Sequence, residues 1–242
     1  MALQTGIVYG PMDSRRFGRS LGINLAPAGR KACSFDCTYC EYGPSTVQPR
    51  TGFPVPADVV DALDAALFHH TDIDTIVVAG NGEPTLHQAF APIAQGLWDV
   101  RRRRAPQAKL ALVSNGSTLN RLDVMYSLAR FDLRCMKLDA GDETTFRLMN
   151  APMISLGRLI ADLRFIGQLT LQSRFVRDAA RGIDNTTPPA LDAWLDAVAR
   201  VQPASVDISA LEWPSLPRVP ESILEEIATR VRGLGVAATV YG

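Results

Sequence analysis

Helix-period and strand-period segments alternate along the chain, and this alternation constrains the fold more than any other feature. Pro56 suits the first position of a helix, and Val59, Val60, Leu63 and Leu67 follow it on one face. Leu86, Phe90, Ile93, Leu97 and Val100 recur at three- and four-residue spacing, which predicts a second amphipathic helix. Similar stripes occur at Leu156, Leu159, Ile160, Leu163 and Ile166, at Leu191, Trp194, Leu195 and Val198, and at Ile223, Leu224, Ile227 and Val231. Short strand-like runs lie near 21–26, 75–79, 109–113, 133–138, 169–176, 205–211 and 236–241. Alternation of this kind predicts parallel strands joined by helical crossovers. A complete eightfold (β/α) barrel takes about 250 residues. Of the 242 residues here, some belong to an N-terminal segment and a cysteine-rich loop. That leaves room for about six strand–helix units. No linker, repeat or low-complexity segment divides the chain, so a single domain over 1–242 is expected.

Composition acts mainly by exclusion. With 47% hydrophobic and 21% charged residues the chain can bury a core without disulfide staples, and disorder is excluded. Lys and Arg number 25 and so do Asp and Glu, so bulk charge does not draw the protein to nucleic acid or membranes. No apolar run reaches the length of a membrane span, and Met1–Gly6 lacks the charged start and apolar stretch of a secretion signal. A cytoplasmic protein with reduced cysteines, and no membrane partner, is the expectation.

Three of the four cysteines, Cys33, Cys37 and Cys40, lie within eight residues. In a reducing compartment such a group points to metal rather than to a disulfide. Three thiolates from one loop suit an iron–sulfur cluster, which usually takes four and would here keep one iron open. The alternative from spacing alone is a zinc site completed by Cys135 or a histidine.

The surrounding residues carry a family resemblance. The loop reads Cys33-Ser34-Phe35-Asp36-Cys37-Thr38-Tyr39-Cys40, and Gly80-Asn81-Gly82-Glu83-Pro84-Thr85-Leu86 follows the apolar run Thr75–Ala79. Together they resemble the radical S-adenosylmethionine (SAM) superfamily. The segments Gly10–Asn24 and Leu138–Phe146 narrow the resemblance to a branch related to the wyosine-tRNA synthases, from about Gly10 to the C-terminus. Archaeal-type wyosine synthases carry a second cluster on three further cysteines. Only Cys135 is left over here, which excludes an all-cysteine auxiliary cluster.

The resemblance implies an α/β partial (β/α)6 TIM-type barrel with an N-terminal extension and a cluster-binding loop. It implies that Cys33, Cys37 and Cys40 hold one [4Fe–4S] cluster and that SAM binds the open iron. Glu83, with Gly80, Asn81 and Gly82, would receive the SAM amine, the glycines letting backbone approach the ligand. Asn81 stands where the family has glycine. Tyr39 would lie near the adenine, and Ser114 and Asn115, which end the third strand, are candidates for ribose or carboxylate contacts.

Strand alternation adds a further expectation, since i and i+2 share a face. Cys135, Lys137 and Asp139 oppose Met136 and Leu138; Gln172 and Arg174 share a face; Asp207 and Ser209 oppose Val206 and Ile208. The polar faces predict a wet, ligand-holding interior rather than a packed one. Lys137, Asp139 and Arg174 are the candidate catalytic or ligand-contacting groups, the alternative being local ion pairs. Cys135 lies toward the N-terminal end of its strand and is expected to pack. Solvated helix ends account for His69-His70 and Arg101–Arg104, although the arginines also suit an RNA contact. Arg15, Arg16 and Arg19 either anchor the cysteine loop or meet an anion. Trp213 is expected to pack at a rim, and Thr187 to cap a helix beginning at Pro188.

These readings converge on an enzyme in which the cluster reduces SAM to a 5′-deoxyadenosyl radical that abstracts hydrogen from a small metabolite or peptide. A flavodoxin or ferredoxin would supply electrons. The alternatives are tRNA base modification with RNA as partner, activation of a glycyl-radical enzyme, or a non-catalytic metal-binding module.

Overall fold

Ser14 turns the chain between its first two strands, accepting the backbone N–H groups of Arg16 and Phe17 on its hydroxyl at 3.2 Å each. The strands, β1 (Val8–Ser14) and β2 (Gly18–Ile23), form an antiparallel hairpin. This computed structural model describes residues 2–45, 51–210 and 218–241. Trp213 and the last residue of the expected 205–211 strand lie outside the described residues. Contacts sort the chain into two units: Met1–Ser34, Pro44–Ser114 and Thr118–Arg134 form one, and Phe35–Gly43, Asn115–Ser117 and Cys135–Gly242 the other.

In the first unit β2 pairs in parallel with β3 (Thr75–Val78), and β3 in parallel with β4 (Lys109–Ser114). Helices α1 (Pro56–His69) and α2 (Phe90–Arg104) provide the crossovers. The predicted stripes face inward: Val59, Leu63 and Leu67 of α1 and Phe90, Ile93, Leu97 and Val100 of α2 are buried with Ile76 and Val78. Each such side chain contributes about 1.5–3 kcal/mol by leaving water. The second helix starts at Phe90, not at Leu86. Pro84–Leu86 is instead a 3-10 turn, because the Glu83 carboxylate accepts the Thr85 N–H and ends the extended chain there. A short helix, α3 (Leu122–Ser127), carries no strong apolar period and was not expected.

Strand β5 (Leu133–Lys137) contributes residues to both units. The second unit continues with α4 (Glu143–Asn150), α5 (Leu156–Leu163), β6 (Leu169–Phe175), the short pair β7 (Arg177–Asp178) and β8 (Ile183–Asp184), α6 (Pro188–Val201), β9 (Ser205–Ala210), α7 (Glu221–Gly233) and β10 (Ala237–Tyr241). Both β6–β9 and β9–β10 are parallel. Leu169, Leu171, Ser173 and Phe175 of β6 are buried, while Thr170, Gln172 and Arg174 are half-buried, which is the predicted alternation. Trp194 of α6 packs edge-on against Phe175 at 5.1 Å and donates its indole N–H to Leu138 O at 3.0 Å. Gly141 permits this closeness, since a Cβ there would meet the Ala193 carbonyl at 2.0 Å. Thr187 occupies the N-cap position of α6, but its hydroxyl donates to Asp184 O and makes no cap bond. Among the described residues no helix is long and apolar enough to cross a membrane.

Candidate functional site

In the first unit the motif after β3 is assembled from close backbone approaches. Ala32, the residue before Cys33, donates its N–H to Asn81 O at 2.8 Å and accepts the Glu83 N–H at 2.8 Å. Gly80 and Gly82 adopt φ values of +130° and +137°, which side-chain-bearing residues rarely take. In the structure the Gly80 Cα faces Asn24, and the Gly82 Cα faces Ala32. Asn81 exchanges hydrogen bonds with the Gln4 backbone at 2.7 Å in both directions, so its side chain ties down the N-terminal segment.

These contacts deliver the buried Glu83 side chain beyond the C-terminal end of β3. One carboxylate oxygen, Oε1, accepts the Thr85 N–H at 3.0 Å, the Thr85 hydroxyl at 2.5 Å and the Ser114 hydroxyl at 2.8 Å. Thr85 also exchanges a hydrogen bond with Thr118. Arg121 holds the turn from below, donating to the carbonyls of Thr85 at 2.9 Å and Gln88 at 3.3 Å. Ser114, which the resemblance offered for ribose or carboxylate contacts, donates to Glu83, and Thr85 is a further partner of that carboxylate. Asn115 belongs to the second unit, where its Oδ1 accepts the Ser117 N–H at 2.9 Å.

The second unit holds a buried polar hub around Asp139. Tyr39 donates its hydroxyl to Asp139 Oδ2. Lys137 Nζ lies 2.6 Å from the Tyr39 hydroxyl and 3.2 Å from Asp139 Oδ2. Asp139 Oδ1 accepts the Arg174 N–H at 2.9 Å. Asn185 braces the hub, donating to Asp139 O and Arg174 O at 2.9 Å each. Burial works to raise the Asp139 carboxyl, but the Lys137 charge and the donated hydrogen bonds hold it below its usual range. Burial, reinforced by the Asp139 charge, drives the Tyr39 hydroxyl well above its usual range. The Tyr39 ring packs with Met149, Val176 and Ile183 and against Cys37, and the Lys137 and Arg174 cations stand 4.9 and 5.2 Å from its centre.

Lys137 and Asp139 are therefore an ion pair in a buried network, which is the local alternative weighed from the sequence. Arg174 differs: apart from its place over Tyr39, its guanidinium has no hydrogen bond or ion pair among the described residues.

The cysteine loop in this unit is fastened to the end of α4. Asp36 donates its N–H to Asn150 O and Thr38 to Met149 O, each at 2.9 Å. Asn150 Nδ2 reaches Cys37 Sγ at 3.3 Å. Burial pushes the Cys37 thiol up, and Lys137 opposes it. Asn150 was missed from the sequence, because α4, the helix it ends, was not expected there. Cys33, Cys37 and Cys40 are part-exposed thiols in no disulfide among the described residues, and Cys135 is buried. Among the described residues no three His, Cys, Asp or Glu side chains converge as a ready-made metal site.

The arginine runs are largely engaged. Arg101 pairs with Asp132 at 2.6 Å, and Arg103 and Arg104 pair with Asp64 at 3.1 and 2.7 Å, which lowers the Asp64 carboxyl to about 2. Arg102 stacks over Trp98 at 4.5 Å. Arg19 pairs with Asp72 at 2.9 Å, and Arg16 lies over Phe17. His69 closes α1 and His70 caps it through its backbone N–H. A cavity of about 360 Å³ in the second unit is lined by Asp142, Thr145, Leu148, Ile183 and Asp184 among others, not by Lys137, Asp139 or Arg174.

No family model matches the chain. A UPF0026 protein of Helicobacter pylori is 29% identical over 229 residues, spanning 91% of this chain and 71% of that protein. A UPF0026 protein of Methanocaldococcus jannaschii is 34% identical over 151 residues, spanning 60% of this chain and 44% of that one. Among solved structures, a radical SAM methyltransferase from Sphaerobacter thermophilus superposes with a TM-score of 0.66 at 16% identity, covering 92% of this chain and 65% of that one. Streptococcus suis SuiB bound to S-adenosylmethionine superposes with a TM-score of 0.66 at 10% identity, covering 91% and 50%. Archaeal TYW1 superposes with a TM-score of 0.57 at 10% identity, covering 89% and 72%. The chain thus spans between half and two thirds of the first two structures. Its fold is the α/β, mostly parallel fold of the radical SAM partial barrel, as the sequence predicted.

Proposed function

We propose that the protein is a radical SAM enzyme in which Cys33, Cys37 and Cys40 hold one [4Fe–4S] cluster and Glu83 receives the amine of SAM. The observation that carries this reading is the pairing of Ala32 with the Gly82–Glu83 backbone. It runs the chain into Cys33 directly from the motif that presents a buried, hydroxyl-fixed carboxylate. The donor set fits the cluster: three part-exposed thiols, none in a disulfide, in one short loop, one of them receiving an N–H donor. When bound, the cluster and SAM supply one-electron chemistry and hydrogen abstraction from an unactivated C–H bond.

The chain's own residues bind and orient. Thr85 and Ser114 fix the Glu83 carboxylate for an ammonium partner. Tyr39, Lys137 and Asp139 brace the cysteine loop through the hub. Arg174 is the cation for the SAM carboxylate or for an acidic group of the substrate. A small metabolite or peptide is the substrate class this supports best, since the Arg101–Arg104 run is taken up by Asp132, Asp64 and Trp98. A flavodoxin or ferredoxin is the electron donor in this reading.

The test is anaerobic reconstitution followed by strong reduction with SAM. Conversion of SAM to 5′-deoxyadenosine and methionine is expected. Stoichiometric zinc without iron, or methylthioadenosine as product, overturns the reading. Mass spectrometry of metabolites and RNA from cells with and without the gene then separates a small-molecule substrate from a tRNA base.

A further inference from the structure

Helix α4 ends on Asn150, whose side chain is 0% exposed. Its Nδ2 lies 2.8 Å from Asp139 Oδ2, 3.3 Å from Cys37 Sγ and 3.4 Å from the Tyr39 hydroxyl. An amide nitrogen has two hydrogens, and the carboxylate and the sulfur lie nearest. Charge decides which way the amide points. Lys137 and the Tyr39 hydroxyl favour an ionised Asp139. An amide oxygen turned toward that carboxylate and the sulfur would group acceptors with no proton between them. The nitrogen therefore faces Cys37. On the other side Oδ1 is buried without a hydrogen-bond partner. An orphaned buried acceptor is unfavourable, and leucine would fill nearly the same volume without one. The residue is accounted for by what its nitrogen does.

We propose that Asn150 sets the reduction potential of the cluster by donating an N–H to the sulfur of Cys37. This rests on the cluster reading above. A hydrogen bond to a ligating sulfur withdraws electron density from it and favours the reduced, more negative cluster, which raises the potential. Asp139 takes part at one remove: by accepting the other hydrogen of Nδ2 it fixes the amide so that the sulfur receives an N–H and not a lone pair. Asn150 is a positioning and tuning residue, touching the ligand and not the iron. No local pattern announces it, since Asn150 and Cys37 are 113 residues apart.

The test uses the full chain, reconstituted anaerobically, as wild type and as Asn150→Leu. Redox titration followed by electron paramagnetic resonance gives the midpoint potential, and iron analysis gives the loading. The variant should carry the same iron and titrate at a more negative potential. Protein grown with nitrogen-15 asparagine should show, by pulsed resonance on the reduced cluster, a weak nitrogen coupling that Asn150→Leu loses. Equal potentials at equal iron content overturn the proposal. Should the variant fail to take up iron, the labelled wild type decides, and absence of the coupling overturns it. No cluster in the wild-type protein would overturn both readings; a normal cluster whose potential ignores Asn150 would overturn this one alone.

Discussion

A Cβ atom on Gly82 would stand 1.9 Å from the carbonyl oxygen of Ala32. The bare Cα is what lets the chain entering Cys33 pair with the strand exit that presents Glu83. From sequence, the glycines of this motif were expected to let backbone approach a ligand; in the structure the close approach at Gly82 is made by backbone.

Gly82→Ala should therefore destabilise the protein by about 3 kcal/mol or more, through the collision and the strained φ together. Gly29→Ala is the control. Gly29 also has positive φ, +63°, but a Cβ there meets nothing within 4 Å. It should cost about 1–2 kcal/mol. Urea midpoints of the two variants test the difference, and equal losses would show that the contact with Ala32 contributes nothing.

Replacing Cys33, Cys37 or Cys40 with alanine should abolish iron uptake on anaerobic reconstitution, where the wild type takes about four irons per chain. Cys135→Ala should bind iron normally, because that thiol is buried. It should lose only about 1 kcal/mol of stability, as for any small apolar group. Iron analysis of the four variants checks the division.

Glu83→Gln should weaken SAM binding by roughly 10- to 100-fold while leaving iron content unchanged, since a hydrogen bond to a charged group contributes about 1.5–3 kcal/mol. Ser114→Ala, which removes one hydroxyl from Oε1, should have a smaller effect in the same direction. Calorimetric titration with SAM measures both. Full affinity in Glu83→Gln would place the amine site elsewhere.

His87 gives a pH dependence of stability. Its Nδ1 accepts the Ala89 N–H at 3.1 Å, so Nε2 carries the proton and donates to Pro54 O at 2.8 Å. Burial lowers its pKa below 6.5; the Pro54 carbonyl opposes the shift and Arg121 adds to it. Between the folded value and 6.5 the unfolded chain holds the extra proton, so stability rises with pH across that window. The contribution is complete above about 6.5 and is lost as pH falls toward the folded value. Denaturation of wild type and His87→Gln between about pH 5 and 8 tests this. The variant should lose slope in that interval, and an identical slope would remove His87 as the cause.

The α/β class was legible in the chain because an apolar stripe is a local pattern. Val59, Leu63 and Leu67 must all leave water on one face of a helix, and Ile76 and Val78 are buried together on the strand that follows. The cysteine loop and the Glu83 motif were legible because their spacing carries their chemistry. The β1–β2 hairpin and the helices α3 and α4 were not, having weak or short periods. Tertiary structure alone decided the fate of the polar side chains. Lys137 and Asp139 share a strand face with Cys135, and nothing in that alternation says whether they open to a ligand or close on each other. They close because Tyr39 arrives from 98 to 100 residues away with a hydroxyl, and Asn150, 11 residues beyond Asp139 at the end of α4, brings the amide that an ionised, buried carboxylate requires. Apolar burial is specified by each residue's own period. A buried charge is specified by its partners, and those are set by how distant segments pack.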